Sequence, residues 1–238
     1  MKDLKKVALL VQARVNSSRL PSKMIKPFSD SSLIDICIEK IKKSKFPLSN
    51  FYLSIREQEL IEISKKHSVN YYYRSENSVR NDDIIGFTLP EVLEWWDKLD
   101  YEYYILLSAC NPILKISTLN SFIDFFLKSD EDSLCSVQEH RDFFFKYDGE
   151  MFQKYNGTPE QKATFNTKFI EPLYSAGPIR AGKMSDIGKN IYMGDFNIPG
   201  SVPFFHYSSD EFVDIDYQWQ FDVAEVLYEK KKALGENI

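Results

Sequence analysis

Glycine is scarce: nine residues in 238, with none before Gly86. That excludes two phosphate-binding devices behind the first strand. The Walker A loop and the G-x-G-x-x-G fingerprint both place glycines where the backbone approaches phosphate. Any anion held near the start of the chain must be held by side chains. Cysteine is scarce as well. Cys37, Cys110 and Cys135 are odd in number and widely spaced, which fits neither a disulfide framework nor a zinc site and suits a reducing, cytoplasmic compartment. No apolar run approaches the roughly 18 residues needed to span a bilayer, so no membrane partner is expected. The opening MKDLKK–VALLV has the outline of a secretory leader, but Gln12 and Arg14 end the apolar run early and no small-residue cleavage site follows. Basic charge is in deficit, with a formal net charge of −5. A general nucleic-acid partner is therefore not expected, because affinity for a phosphate backbone needs clustered basic charge.

Against that acidic background one basic island stands out. Arg14, Arg19, Lys23 and Lys26 follow the apolar run Val7–Val11, with Asn16, Ser17 and Ser18 between them. Pro21 and Pro27 forbid a continuous helix there. The stretch reads as strand, cationic loop, then helix, an arrangement that presents a loop to a small anionic ligand. On charge alone, a solvated basic loop and an anion-holding loop are equally admissible.

The rest of the chain alternates strand and helix signals. Strands are expected at Val7–Gln12, Phe51–Ile55, Val69–Tyr73, Tyr103–Leu107 and Ser133–Gln138. Helices are expected at Ser31–Lys45, Glu57–His67, Ile84–Lys98 (with Pro90 inside it) and Ser117–Leu127. In the first helix Leu33, Ile34, Cys37, Ile38 and Ile41 form the buried stripe. Lys40, Lys42, Lys43 and Lys45 lie late and complement the helix dipole. This alternation predicts an α/β fold, a Rossmann-like, mostly parallel sheet flanked by helices. The regularity breaks near His140. Phe143–Tyr147 and Met151–Tyr155 around Asp148-Gly149 read as a β-hairpin. The whole of 140–200 reads as a small β-rich insertion that covers the site or builds a dimer contact. Phe212–Ile215 is expected as a final strand and Gln218–Lys232 as a terminal helix. With 238 residues the chain makes one domain, 1–238, carrying that insertion.

Two further features bear on function. In doubly wound sheets ligands bind at the carboxyl ends of strands where strand order reverses. A central first strand would place its basic loop beside the small, polar loop Ser108–Lys115. Near the end of the chain, Val-Asp-Ile-Asp puts Asp214 and Asp216 two residues apart, on one side of an extended strand. Two hard carboxylates suit Mg²⁺, although a strand end followed by a helix cap explains Asp-x-Asp equally well. A cationic loop and an acidic pair are complementary halves of a nucleotide-transfer site.

The segment Gln12-Ala13-Arg14-x-Asn16-Ser17-Ser18-Arg19-Leu20-Pro21-Ser22-Lys23 resembles the opening motif of the cytidylyltransferases that activate acidic sugars. These are the acylneuraminate (CMP-N-acetylneuraminate synthetase) type and, in the Ser-Arg-Leu-Pro-x-Lys portion, the CMP-KDO synthetase type. Leu106–Pro112 resembles the sialate family's Leu-Gln-Pro-Thr-Ser-Pro segment. Val213–Asp216 with Phe221–Glu225 resembles its Asp-Ile-Asp motif and following helix. The resemblance implies transfer of CMP from CTP to a 2-keto-3-deoxy, sialic-acid-like sugar acid, with pyrophosphate released. Arg14, Lys23, Asp214 and Asp216 would be the catalytic set, and Asp214 and Asp216 would hold Mg²⁺. Ala13, Arg14, Asn16, Ser17, Arg19, Lys23, Ser108 and Asn111 would contact the nucleotide. Arg74, Ser108 and Gly177 would contact the acceptor. A homodimer and a role in surface-polysaccharide synthesis are also implied. Departures from the family pattern, at Met24, Arg56, Ser108, Cys110-Asn111 and Ala176–Arg180, fall mostly on the sugar and base side. They leave two alternatives: a phosphonate or other small acid as acceptor, and a nucleotide-binding homologue without turnover. Cys110 is a further candidate nucleophile by position, without a neighbouring His in sequence.

Overall fold

A computed structural model describes residues 1–76, 98–147, 152–154, 156–164, 166–186 and 202–238. The expected helix at Ile84–Lys98 and the Asp148-Gly149 turn fall largely outside the described residues.

The chain opens with β1 (Val7–Gln12), and a short ribbon follows, β2 (Pro27–Phe28) and β3 (Ser31–Ser32). Helix α1 (Leu33–Lys43) starts later than the pattern suggested, because Ser31 and Ser32 belong to the ribbon. Ser32 then acts as N-cap, its Oγ accepting from the Asp35 amide at 3.3 Å, a contact worth about 1 kcal/mol. Next come β4 (Phe51–Ile55), α2 (Gln58–His67), β5 (Asn70–Tyr73), β6 (Tyr103–Leu107), α3 (Ile116–Lys128) and β7 (Leu134–His140). The remainder contains a hairpin of β8 (Phe145–Tyr147) and β9 (Phe152–Lys154), a one-turn helix α4 (Pro159–Ala163), β10 (Leu173–Lys183), β11 (Phe204–His206) and α5 (Gln218–Ala233).

Seven of these strands form one sheet in the order β11-β7-β10-β6-β1-β4-β5. The pairs β6-β1, β1-β4, β4-β5 and β11-β7 are parallel, while β10 runs antiparallel to both β6 and β7. The chain moves outward from β1 to β4 and β5, then crosses back to place β6 on the other side of β1. Strand order therefore reverses between β1 and β6, as a ligand crevice in this architecture requires.

Val7–Val11 are fully buried because both faces of a central strand are covered, which explains the unbroken apolar run. Leu9 and Val11 belong to the main core with Ile34, Ile38, Phe122, Phe126 and Phe221. Ala8 and Leu10 pack on the opposite face with Tyr104. None of the described helices is long and apolar enough to cross a membrane.

Two expectations need correction. The segment 140–200 is more than a peripheral insertion, because residues 173–183 thread into the interior of the sheet between β6 and β7. Gly177 and Pro178 sit at an irregularity in that strand, where the register slips between Ala176 and Arg180, and this interrupts the period-two pattern by which a strand is recognised. Phe212–Ile215 forms no strand. A 3-10 turn at Ser209–Glu211 and the N-terminus of α5 leave it as a short irregular bridge. Its Ile215 amide donates to the Cys110 carbonyl at 3.2 Å, which ties it to the loop after β6 instead of to a sheet edge.

Candidate active site

The loop after β1 keeps its shape without glycine. The Ala13 amide donates to the Ser54 carbonyl at 3.1 Å and the Ser22 amide to the Val15 carbonyl at 2.8 Å, closing the loop on itself. Ser22 supplies the left-handed residue, at φ 58°, that a glycine would usually provide. The Val15 amide donates to Glu57 Oε1 at 2.9 Å, so the start of α2 also pins the loop. Phe28 then docks α5: its ring lies edge-on to Phe221 at 5.1 Å and to Tyr228 at 5.5 Å. That packing brings the start of α5, and the bridge before it, over the basic loop. Gln220 reaches back as a cap, accepting from the Asp216 amide at 2.8 Å and the Tyr217 amide at 2.9 Å.

Two chambers meet at Gln12. One is lined by Ala13, Arg14, Ser17, Arg19, Lys23 and Arg74, with Ser18, Met24 and Cys110 completing it. Its positive charge is dense, and Arg74 is held there with only 4% of its surface exposed. The other is lined by Ser108, Asn111, Gly177, Arg180, Val213 and Asp214, among others. Asn16 lines neither chamber and is exposed. Resemblance grouped Arg74 with the acceptor residues; the structure places it beside Arg14.

Asp216 ties the basic loop to the bridge. Lys23 Nζ donates to the Ile215 carbonyl at 2.6 Å and to Asp216 Oδ1 at 3.1 Å. Arg19 Nη1 approaches Asp216 Oδ2 at 2.6 Å. Lys23 is 7% exposed, so its bonds are shielded and matter more than the half-exposed Arg19 pair. Asp214 is in a different position. Its carboxyl takes no hydrogen bond or ion pair among the described residues, and it opens onto the second chamber. Its pKa is raised, first by the partial burial of its carboxyl and then by the neighbouring Asp216, against the pull of Lys23, Arg19 and Arg180. Asp214 is itself an exposed residue, so water screens these influences.

The loop after β6 closes the site from beneath. The Ser108 amide donates to the Pro178 carbonyl at 2.8 Å and the Asn111 side-chain amide to the Glu211 carbonyl at 2.8 Å. Asn111 Oδ1 is buried and takes no hydrogen-bond partner among the described residues. Cys110 lies in the wall of the cationic chamber, but burial pushes its thiol up, which disfavours the thiolate a nucleophile needs. Gly177 is required by shape. A Cβ there would stand 2.5 Å from Ser136 Oγ and 2.7 Å from the Tyr207 ring, and real side chains do not pack so closely.

Sequence reasoning missed Gln12, which both chambers share, and Arg180 and Tyr207, which stand on or against the second. Arg180 follows the irregular Gly177-Pro178 step of β10. Recognising that strand would have revealed it.

A divalent cation is tested by the donor set. No group of three or more His, Cys, Asp or Glu side chains that could hold a metal occurs among the described residues. Asp214 and Asp216 are two hard-oxygen donors whose mutual repulsion appears in the raised Asp214 pKa. Asp216 already spends Oδ1 on Lys23 and Oδ2 on Arg19, which leaves Asp214 as the open carboxylate; one open carboxylate fits Mg²⁺, which binds protein through one or two carboxylates and completes its shell with phosphate and water. The set is no fit for a closed structural metal site.

Comparison with known proteins gives the context. A family model described as cytidylyltransferase matches residues 8–168. The spore coat polysaccharide biosynthesis protein SpsF of Bacillus subtilis is 27% identical over 71 residues, which is 29% of this chain and 30% of SpsF. The match thus spans under a third of that curated relative. Among solved structures, a CMP:2-keto-3-deoxy-manno-octonic acid synthetase complexed with CTP superposes with TM-score 0.68 at 11% identity, over 95% of this chain and 99% of its own. A cytidylyltransferase from Leptospira borgpetersenii gives 0.61 at 18% identity, over 97% and 95%. A 4-diphosphocytidyl-2C-methyl-D-erythritol synthase from Anaerococcus prevotii gives 0.62 at 13%, over 94% and 96%. At these identities the likeness is one of fold.

Proposed function

The chain belongs to the cytidylyltransferase family, and from that premise we propose that it transfers CMP from CTP to an acidic, sialic-acid-like 2-keto-3-deoxy sugar and releases pyrophosphate. One observation carries the reading: a cationic chamber and a chamber bearing a free carboxylate share Gln12 at the point where strand order reverses. A triphosphate in the first and an acceptor hydroxyl in the second meet at the α-phosphorus.

Arg14, Arg19, Lys23 and Arg74 neutralise the triphosphate, with Ala13, Asn16 and Ser17 completing the nucleotide contacts. Charge spread over phosphoryl oxygens in the transition state is what fixed cations stabilise. Ser108, Asn111 and Gly177 bound the acceptor, and Arg180 supplies the positive charge an acidic acceptor requires. The acceptor oxygen forms a bond to the α-phosphorus, the bond from that phosphorus to the bridging oxygen breaks, and pyrophosphate carries away the electron pair. Asp214, whose raised pKa suits it to hold a proton, takes the one lost by the attacking hydroxyl. Mg²⁺ held by Asp214, and by Asp216 once Arg19 turns to the triphosphate, would supply further charge neutralisation there. The segment 140–200 covers the acceptor and contributes to a homodimer in this reading, and 1–238 acts as one transferase domain.

The CTP complex of the octonic acid synthetase supports the nucleotide assignment, and the spore-coat role in SpsF's name supports a surface glycan as the destination. The test is pyrophosphate release from CTP and Mg²⁺ across sialic, legionaminic and pseudaminic acids, KDO and simple phosphonates. Release with a sugar acid is expected. Release with phosphonates alone reassigns the acceptor. Calorimetric binding of CTP without release across the panel makes the protein a non-catalytic nucleotide binder.

A further inference from the structure

Lys40 belongs to α1, where its place late in the helix suggests a surface cation complementing the dipole. The side chain instead turns inward and is 3% exposed. It enters an apolar space lined by Leu33, Ile36, Cys37, Leu107, Ala109 and Leu114. Its Nζ donates to the Pro112 carbonyl at 2.9 Å. The same loop also meets a buried acidic residue, Glu211, 4% exposed. Glu211 accepts from the Lys115 amide at 3.0 Å through its carboxylate and from Asn111 through its carbonyl at 2.8 Å. The loop of residues 108–115 is therefore held at Pro112 by a buried lysine and at Asn111 and Lys115 by a buried glutamate. The Ile215 amide, bonded to the Cys110 carbonyl at 3.2 Å, passes that grip to the Asp214–Asp216 bridge.

We propose that Lys40 is a positioning residue for the transfer site: its amine fixes the Pro112 carbonyl and, together with the Glu211 contacts to Asn111 and Lys115, sets the 108–115 loop against the Asp214–Asp216 bridge. Resting on the reading of that loop as a wall of a nucleotide-transfer site, it adds a residue that touches neither substrate. A methionine would fill the same space without a buried charge, so an inward lysine costs stability and calls for a compensating role.

The surrounding electrostatics give the proposal a pH signature. Burial lowers the Lys40 pKa from 10.5 to about 7, against Cys37 and Glu211, which raise it. Cys37, on the same helix, is pushed up to about 12 by burial, and Cys110 of the loop is also raised. Cys37 therefore stays neutral through this range, and Cys110 is shifted in the same direction. Lys115, paired with Glu236 at 3.2 Å and near Asp210 and Glu211, has a raised pKa and keeps its charge. Since the folded value of Lys40 lies below its ordinary one, the cost of charging it is absent above about 10.5, grows as pH falls, and is complete below about 7. The charged amine is also the stronger donor to Pro112.

Lys40→Met should therefore separate stability from loop order. Its melting temperature should rise relative to wild type as pH falls from 9 to 6.5. Over the same range its 108–115 amides should exchange hydrogen about tenfold faster than wild type at pH 6.5, narrowing to about threefold at pH 9. Comparing the two proteins at each pH cancels the intrinsic pH dependence of exchange. CTP affinity, measured as the same ratio by calorimetry, should follow, with the nucleotide's own ionisation cancelling too. A loop that exchanges equally in both proteins overturns the proposal, as does loosening that accompanies a fall in stability, the result of a merely structural role. Failure of the wild type to bind CTP sinks the transferase reading instead and leaves the exchange comparison to decide this one. If Lys40→Met does not fold, Lys40→Gln, a neutral donor, should show a loop ratio to wild type that narrows with rising pH in the same way. A constant ratio overturns the proposal.

Discussion

Around Gln12 the chain builds one chamber mostly from a single stretch and the other from four. The cationic chamber draws nearly all its lining from residues 12–24, with Arg74 and Cys110 added. The second collects Gln12, the segment 106–111, the segment 176–180 and the bridge 212–214. Their chemistry divides the same way. The first works by charge, which long side chains deliver from many positions. The second works by shape, set by the Gly177–Tyr207 contact and the position of a loop held at Pro112, Asn111 and Lys115. A charge-built chamber tolerates rearrangement, whereas a shape-built one depends on distant parts of the chain meeting in register.

The largest expected effect joins the two chambers. Lys23→Met removes the bond to the Ile215 carbonyl and one of the two cations on Asp216. Turnover should fall by about 10²–10³-fold, and stability by about 1–3 kcal/mol because buried acceptors lose their donor. Pyrophosphate release and thermal melting check both. A KM change for the acceptor as large as that for CTP would dissolve the distinction between the chambers.

Next comes the acid limb. If Asp214 acts as a carboxylate, kcat/KM falls as pH drops through its folded pKa, which lies above the ordinary carboxyl value. Asp214→Asn should lose that limb and about 10²-fold in rate. For stability the sign is opposite to that of an ion-paired acid. A raised folded pKa means the folded state holds the proton more tightly, favouring it below the ordinary value and withdrawing that gain as pH rises through the folded pKa. Asp214→Asn should therefore melt no lower than wild type at neutral pH.

Gly177→Ala sharpens the comparison on the shape side. The new methyl must displace Tyr207 or Ser136. Overpacking of this kind costs about 1–3 kcal/mol, and the acceptor KM should rise about tenfold while that of CTP stays within about twofold. Equal shifts would place the nucleotide against Gly177. The smallest effect belongs to Arg19→Gln. That ion pair is half exposed, so stability should change by less than about 1 kcal/mol. The KM of CTP should rise only a few-fold, and more at low salt, where screening is weak.

The parallel half of the fold was legible because burial on both faces writes itself as apolar runs. Val7–Gln12, Phe51–Ile55 and Tyr103–Leu107 have the ends the run lengths suggested. The basic loop was legible for a related reason: its residues are local, and glycine scarcity leaves side chains as the means of holding an anion. Strand β10 was not, since Gly177-Pro178 breaks its alternation. The bridge was misread in the opposite sense, because Val213-Asp214-Ile215-Asp216 alternates like a strand although only Ile215 is buried, beneath the loop after β6. Lys40 was hidden by its own helix, where a late lysine looks like dipole chemistry. Side-chain direction at a single position is a tertiary fact that no local pattern records.

The place of β10 between β6 and β7 also orders assembly in time. During synthesis β1, β4, β5 and β6 emerge first and can pair as they appear, since each neighbour in that half of the sheet is already made. Strand β7 emerges next but has no place beside β6; it must wait for a strand that arrives later and runs the other way. Such long-range insertion closes large loops and is slow. The basic loop can therefore take shape early, whereas Gly177 and Arg180 enter with β10, and Lys23 meets Ile215 and Asp216 later still. A nascent chain arrested before β10 would carry the basic loop and Arg74 without the wall that Gly177 and Arg180 build.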